Sequence, residues 1–203
     1  MNESGLLIVL SGPSGVGKGT IASTLKDEIP GLRLAISATT RSPREGEKDG
    51  VSYRFFSLEE FEKLIENGQF LEWAQVYGNY YGTNRRYVLD NLDKGRDLLL
   101  EIDVQGALII KEKLPRSVLI FIAPPSKKEL RRRLEGRAAD TPQEIERRIA
   151  CSIEEIISAE KYDYIVINDE VSQVVQKIRS IIVAEKQRPY YQRKLLAEFN
   201  NGG

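Results

Sequence analysis

The sequence predicts an α/β fold, a phosphate-binding-loop (P-loop) parallel sheet with helices on both faces. Three observations predict it. The apolar run Leu6–Leu10 meets a glycine-rich turn and then a helical pattern to Glu28, a strand–loop–helix unit. From Leu98 onward, apolar strands alternate with amphipathic helices, the rhythm of a doubly wound sheet. Between these regions lie short strands and one helix without that rhythm, which read as an insertion on the main core.

The first unit carries the chemistry. In Ser11-Gly12-Pro13-Ser14-Gly15-Val16-Gly17-Lys18-Gly19-Thr20 the glycines let successive backbone N–H groups converge on one anion. The helix start adds unpaired donors and the positive end of its dipole. Lys18 supplies a point charge for outer phosphates. The plainer alternative is an ordinary strand-to-helix turn with a solvated lysine. One departure stands out: Gly19 follows the lysine where Ser or Thr is usual. A hydroxyl ligand to magnesium is therefore not expected, and magnesium is expected on nucleotide oxygens and water.

Leu32–Ala38 predicts a second strand, followed by a polar loop through Glu47 with two arginines, Arg41 and Arg44. Tyr53, Phe55 and Phe56 suggest a short strand. Ser57-Leu58-Glu59-Glu60 forms a capping box for a helix through Ile65, closed by Asn67-Gly68. Phe70–Val76 and Tyr80-Tyr81 flank the turn signal Gly78-Asn79. The core returns with a strand at Leu98–Asp103, helical residues from Ala107 to Lys111, and a strand at Val118–Ile122. Ser126 caps a charged helix over Lys127–Glu135, and Thr141-Pro142 opens another through Ala159. Tyr164–Ile167 is the last strand and Val171–Ala184 the last helix, with fraying expected after Glu198.

Composition narrows the chemistry further. In 203 residues, 30 basic and 30 acidic side chains cancel, so no overall field favours nucleic acid or membrane. No apolar run approaches spanning length, and Met1–Ser4 leads into no secretory segment, so a soluble, cytoplasmic protein is expected. The single cysteine, Cys151, excludes an internal disulfide; its helical neighbours Ile149, Ile153 and Ile156 predict buried filler. Histidine is absent, which removes imidazole bases, Ser–His triads and His-rich zinc sites. Chemistry by positioning and charge stabilisation remains open, and phosphoryl transfer is of that kind.

The chain resembles guanylate kinases. The resemblance rests on the loop just described, then on Thr39-Thr40-Arg41-Ser42-Pro43-Arg44-Glu45-Gly46-Glu47 and Gly78-Asn79-Tyr80-Tyr81-Gly82-Thr83. It continues through Leu100-Glu101-Ile102-Asp103, Ala123-Pro124-Pro125-Ser126, Leu134-Glu135-Gly136-Arg137 and Val166-Ile167-Asn168-Asp169. It implies magnesium-dependent phosphoryl transfer from ATP to GMP, giving ADP and GDP. It also implies a core (1–36, 92–125, 160–203), a GMP-binding lobe (37–91) and a helical lid (126–159).

By resemblance Arg41 and Arg44 clamp the GMP phosphate with the Tyr53 and Tyr81 hydroxyls, and guanidinium forks suit that task. Otherwise they form a solvated basic loop. Glu72 and Asp103 resemble the guanine readers, since carboxylates accept from N1–H and the N2 amino group. Ser37 and Thr83 then donate to O6. A base site built this way rejects the wrong base by on the order of 10⁴-fold. Without the resemblance, Glu72 is a surface carboxylate and Asp103 a helix cap. Glu101 aligns with the metal-side carboxylate, acting through water. Arg137 and Arg148 resemble lid arginines that stabilise the transferring phosphoryl. Arg133 is placed near ATP, while Asn168 and Asp169 line the adenine pocket or simply form a turn.

Two rivals remain at this stage. The Gly-Lys-Gly-Thr ending of the loop also resembles adenylate kinases, so another base is possible. Guanylate-kinase-like scaffold modules use the Arg–Tyr cluster for phosphopeptides without catalysis. Oligomeric state is left open.

Overall fold

β1 (Leu7–Ser11) is buried at every residue, as an unbroken apolar strand covered on both faces must be. The structure is a computed structural model and describes residues 4–76, 78–135 and 142–200. After β1 the chain turns into α1 (Lys18–Glu28), which buries Ile21, Ala22 and Leu25. The strand expected over Leu32–Ala38 is divided. β2 (Arg33–Leu34) pairs with Leu98 and Leu99, whereas β3 (Ala38–Thr39) pairs with Gly82 and Tyr81. Ala35 and Ala38 have opposite strand parity, yet both are buried because each packs into a different core.

β4 (Arg54–Phe55) follows, then α2 (Leu58–Glu66) with its predicted capping box: Glu60 N–H donates to Ser57 Oγ and Ser57 N–H to Glu60. β5 (Phe70–Val76) and β6 (Asn79–Asn84) form an antiparallel pair. α3 (Arg85–Asp93) was not expected. Its helical signal is thin, but Asn84 caps it and Val88 and Leu92 enter the main core. It spans the boundary drawn at residue 91. β7 (Leu98–Glu101) leads to α4 (Val104–Lys113), and β8 (Val118–Ala123) leads to α5 (Lys127–Glu135), capped by Ser126.

α6 (Pro142–Ile157) continues into a 3-10 turn, Ser158–Lys161. The pattern read around Cys151 shifts here. Ile149 is buried, but Ile153 and Ile156 are exposed and Cys151 is half-buried. The inward stripe runs through Ser152 and Ala159 instead. β9 (Tyr164–Ile167) and α7 (Val171–Lys186) close the core. A second 3-10 turn precedes α8 (Arg193–Asn200), a helix in a stretch assigned no element, whose last two residues fall where fraying was expected.

The main sheet has the order β2–β7–β1–β8–β9, with every pair parallel. Strand alternation sends Leu6, Ile8 and Leu10 to one face, against α1 and α7 through Ile21, Leu25, Val174 and Ile178. Leu7 and Val9 go to the other, against Val88, Ala107 and Ile110 of α3 and α4. The second sheet, β4–β3–β6–β5, is mixed. It packs on α2 through Phe61, whose ring stacks on Phe70 with centroids 4.5 Å apart. The connection from β1 leads to β2 on one side, and the connection from β7 crosses β1 to β8 on the other. The crevice at the carboxyl ends of β1 and β7 is therefore a switch point. Among the described residues no helix is long and apolar enough to cross a membrane.

Candidate active site

The glycine-rich loop lies in that crevice. Gly12 has φ +141°, and a Cβ there would meet the Ile122 carbonyl oxygen at 2.3 Å, so only glycine fits. Gly17 has φ +96° and is the N-cap of α1, with no side chain capping the helix. The first amides of α1 are thereby left for an anion. Lys18 Nζ donates to the carbonyls of Gly12 at 2.5 Å and Pro13 at 3.1 Å, drawing the ammonium back over its own loop. The loop is braced from behind. Asn168 Nδ2 donates to Val16 O at 2.6 Å, and Arg133 donates to Asn168 O at 3.0 Å while pairing with Glu129.

Gly19 has its own explanation in space. A Cβ there would stand 3.6 Å from both carboxylate oxygens of Glu101, at the end of β7. That carboxylate covers the position from which a Ser or Thr side chain would project. Burial pushes the Glu101 pKa up, and the charge of Lys18 opposes the shift. Among the described residues no group of three or more Cys, Asp or Glu could hold a metal ion. A lone carboxylate beside a phosphate loop fits magnesium shared with nucleotide oxygens and water.

Across the cleft Glu72 of β5 is 2% exposed. Thr83 donates its hydroxyl to Glu72 Oε1 at 2.6 Å. The other oxygen, Oε2, lies against Gly106 of α4, where a Cβ would approach to 2.6 Å. Burial pushes the Glu72 pKa up to about 7, with Asp103 adding to the rise and Thr83 and Lys113 opposing it. Asp103 accepts from Gln105 N–H at 2.8 Å and Gly106 N–H at 3.1 Å, so it caps α4 while lining the cleft. The Thr83 hydroxyl, expected to face guanine O6, is thus donated to Glu72.

The basic loop is organised by a residue to which the sequence reading gave no role. Glu47 receives both Arg41 Nη2 contacts, at 2.8 and 2.9 Å, and the Arg44 backbone N–H at 2.8 Å. The Arg41 guanidinium also sits 5.4 Å from the Tyr53 ring centroid. Tyr53 meets Tyr81 edge-on at 6.1 Å, and burial raises its pKa to about 12.

A cleft of about 400 Å³ joins these parts. Its walls are the loop from Gly12 to Thr20 except Pro13, then Ser37, Arg44, Tyr53, Tyr81, Glu72, Asp103, Glu101 and Arg148. The family model described as guanylate kinase matches residues 4–185. The chain belongs to the guanylate kinase family. It is 54% identical over 188 residues to the guanylate kinase of Caldanaerobacter subterraneus subsp. tengcongensis, covering 93% of this chain and 91% of that one. It is 48% identical over 196 residues to that of Clostridioides difficile, covering 97% and 96%. The crystal structure of guanylate kinase from Anaplasma phagocytophilum superposes with a TM-score of 0.81 at 37% identity, covering 98% and 96%.

In this guanylate kinase family chain, several expected site residues are not part of the cleft wall. Pro13, Arg41, Thr83, Arg133, Asn168 and Asp169 do not line it. Thr83 instead holds Glu72, Arg133 and Asn168 hold the loop at Val16, and Arg41 lies over the ring of Tyr53. Arg137 lies outside the described residues. The wall also includes Val76, Gly82, Ile102 and Glu155, which sequence reasoning missed. For Glu155 a signal was present: it falls on α6 at the i+7 position from Arg148, the same helical face.

Proposed function

We propose that this chain transfers the γ-phosphoryl group of ATP reversibly to GMP, giving ADP and GDP. The observation that carries this reading is Glu72, a buried carboxylate oriented by Thr83 in the cleft that also holds the phosphate loop. Guanine offers N1–H and N2–H donors to such a carboxylate and adenine does not, so a cleft with both features suits GMP facing ATP.

In this mechanism the loop amides and Lys18 bind the ATP phosphates. Arg44 and Arg41, braced through Glu47, orient the GMP phosphate with Tyr53 and Tyr81. Ser37, Glu72 and Asp103 receive the base, and Thr83 keeps Glu72 in register. Magnesium, when bound beside Glu101, neutralises phosphate charge. Arg148 and Arg137 approach the transferring group as residues 126–159 and 37–91 close over the cleft, which excludes competing water. No general base is required, because the GMP phosphate is already an anionic nucleophile. Arg133, Asn168 and Asp169 flank the adenine end.

Balanced charge argues for small nucleotides rather than nucleic acid as partners, and one cysteine suits the reducing cytoplasm. The test is coupled detection of ADP with ATP, magnesium and each of GMP, AMP, CMP and UMP. Turnover with GMP at least a hundredfold above the others is expected. Equal use of AMP would reassign the base pocket, and no turnover with any acceptor would favour a binding module.

A further inference from the structure

We propose that Glu155 is a positioning residue for the transfer site: its carboxylate, carried by the helix that bears Arg148, draws Lys18 off its own loop and into the cleft. The proposal deepens the phosphoryl-transfer reading and rests on it. Three observations carry it, beginning with placement. Seven residues, about two helical turns, separate Glu155 from Arg148, and both line the cleft. Between them the inward stripe is buried at Ile149 and Ser152, so the position of Glu155 is set by how α6 packs.

The second observation is an orphan. Glu155 Oε2 is buried and finds no hydrogen-bond partner among the described residues. The hydroxyls of Ser11 and Tyr162 are buried and without partners too. They lie near enough to influence each other, without hydrogen-bond geometry. Ser11 ends β1 immediately before Gly12, and Tyr162, in the segment before β9, lies near both Ser11 and Glu155 of α6. A carboxylate oxygen buried without a partner costs stability, and such groups concentrate where function needs them.

Electrostatics gives the third. Lys18 faces Glu155 from α1 and favours its charge, while Asp103 faces it from the α4 cap and disfavours it. Tyr162 lies close enough to feel it as well. Burial dominates and pushes the Glu155 pKa up to about 7. Lys18 is held by the Gly12 and Pro13 carbonyls, and an ammonium held there is turned away from a phosphate. The Glu155 carboxylate competes with those carbonyls from the cleft side.

The experiment compares the full chain with Glu155→Gln and Glu155→Asp. In Glu155→Gln, kcat should fall at least tenfold while KM for GMP stays within about twofold, the pattern of a lost transition-state contact. With ATP varied at saturating GMP, the parent should show an acid limb near pH 7 that Glu155→Gln lacks and Glu155→Asp recovers. Independently of turnover, Lys18 in ¹³C-methylated protein should titrate at lower pH in Glu155→Gln, because an opposing charge has gone. That signal separates failure of this inference from failure of the phosphotransferase reading. Unchanged kcat with an unchanged Lys18 titration would overturn the proposal. So would a loss of kcat that follows a fall in melting temperature and is not recovered by Glu155→Asp.

Discussion

Glu72 and Gly106 touch across the base end of the cleft: the carboxylate Oε2 occupies the space a Cβ on Gly106 would need, 2.6 Å away. The strand residue is therefore held by the helix residue's lack of a side chain on one side and by the Thr83 hydroxyl on the other. A carboxylate gripped this way has one direction left, into the cleft.

Gly106→Ala should displace Glu72 while leaving α4 intact, since alanine favours a helix interior by about 1 kcal/mol over glycine. The expected result is a rise in KM for GMP of roughly tenfold or more, the equivalent of about 1.4 kcal/mol. KM for ATP should hardly change. Steady-state kinetics with each substrate varied in turn would check this, and equal effects on both would contradict the base-end placement.

Glu72 also makes stability depend on pH. Its folded pKa of about 7 lies above its ordinary 4.5, so between those values the folded chain holds a proton that the unfolded chain has released. Stability should therefore fall as pH rises from about 4.5 to about 7, by on the order of 1–3 kcal/mol from this group. Urea midpoints across that range should decline less steeply in Glu72→Gln. A slope identical to the parent's would show that Glu72 is not buried as described.

Glu47 braces the arginine loop through its side chain, accepting from Arg41 and from the Arg44 amide. Glu47→Ala should loosen both arginines before GMP arrives, raising KM for GMP by about three- to tenfold through lost pre-organisation. Little effect on kcat is expected once GMP saturates, and calorimetric titration with GMP alone would report the same loss.

Lys18→Ala removes an ammonium that donates to two carbonyls of its own loop in this structure. Turnover should drop by roughly a thousandfold, in the range set by removing one transition-state charge contact. Circular dichroism and melting temperature should stay close to the parent's. Retained activity would remove Lys18 from the mechanism.

Much of the molecule follows from local rules that the sequence states openly. Leu6–Leu10 must be a buried strand, Ser57 with Glu60 must open a helix, and Gly12 and Gly17 mark backbone that other residues cannot follow. Periodicity, capping and positive φ act within a few residues, so β1, α1, α2, α5 and β9 were legible without coordinates. The order of the motifs likewise identified the family. Tertiary structure decided what depends on distant partners. It split Leu32–Ala38 between two sheets, because each end found a different strand to pair with. It made α3 a helix on the strength of Val88 and Leu92 packing, where nine polar-rich residues carried little signal of their own. It gave the Thr83 hydroxyl to Glu72, tied Arg41 to Glu47, and set Glu155 in the same cleft wall as the phosphate loop. Hydrogen bonds and burial are properties of pairs brought together by folding, and no spacing along a single chain specifies them.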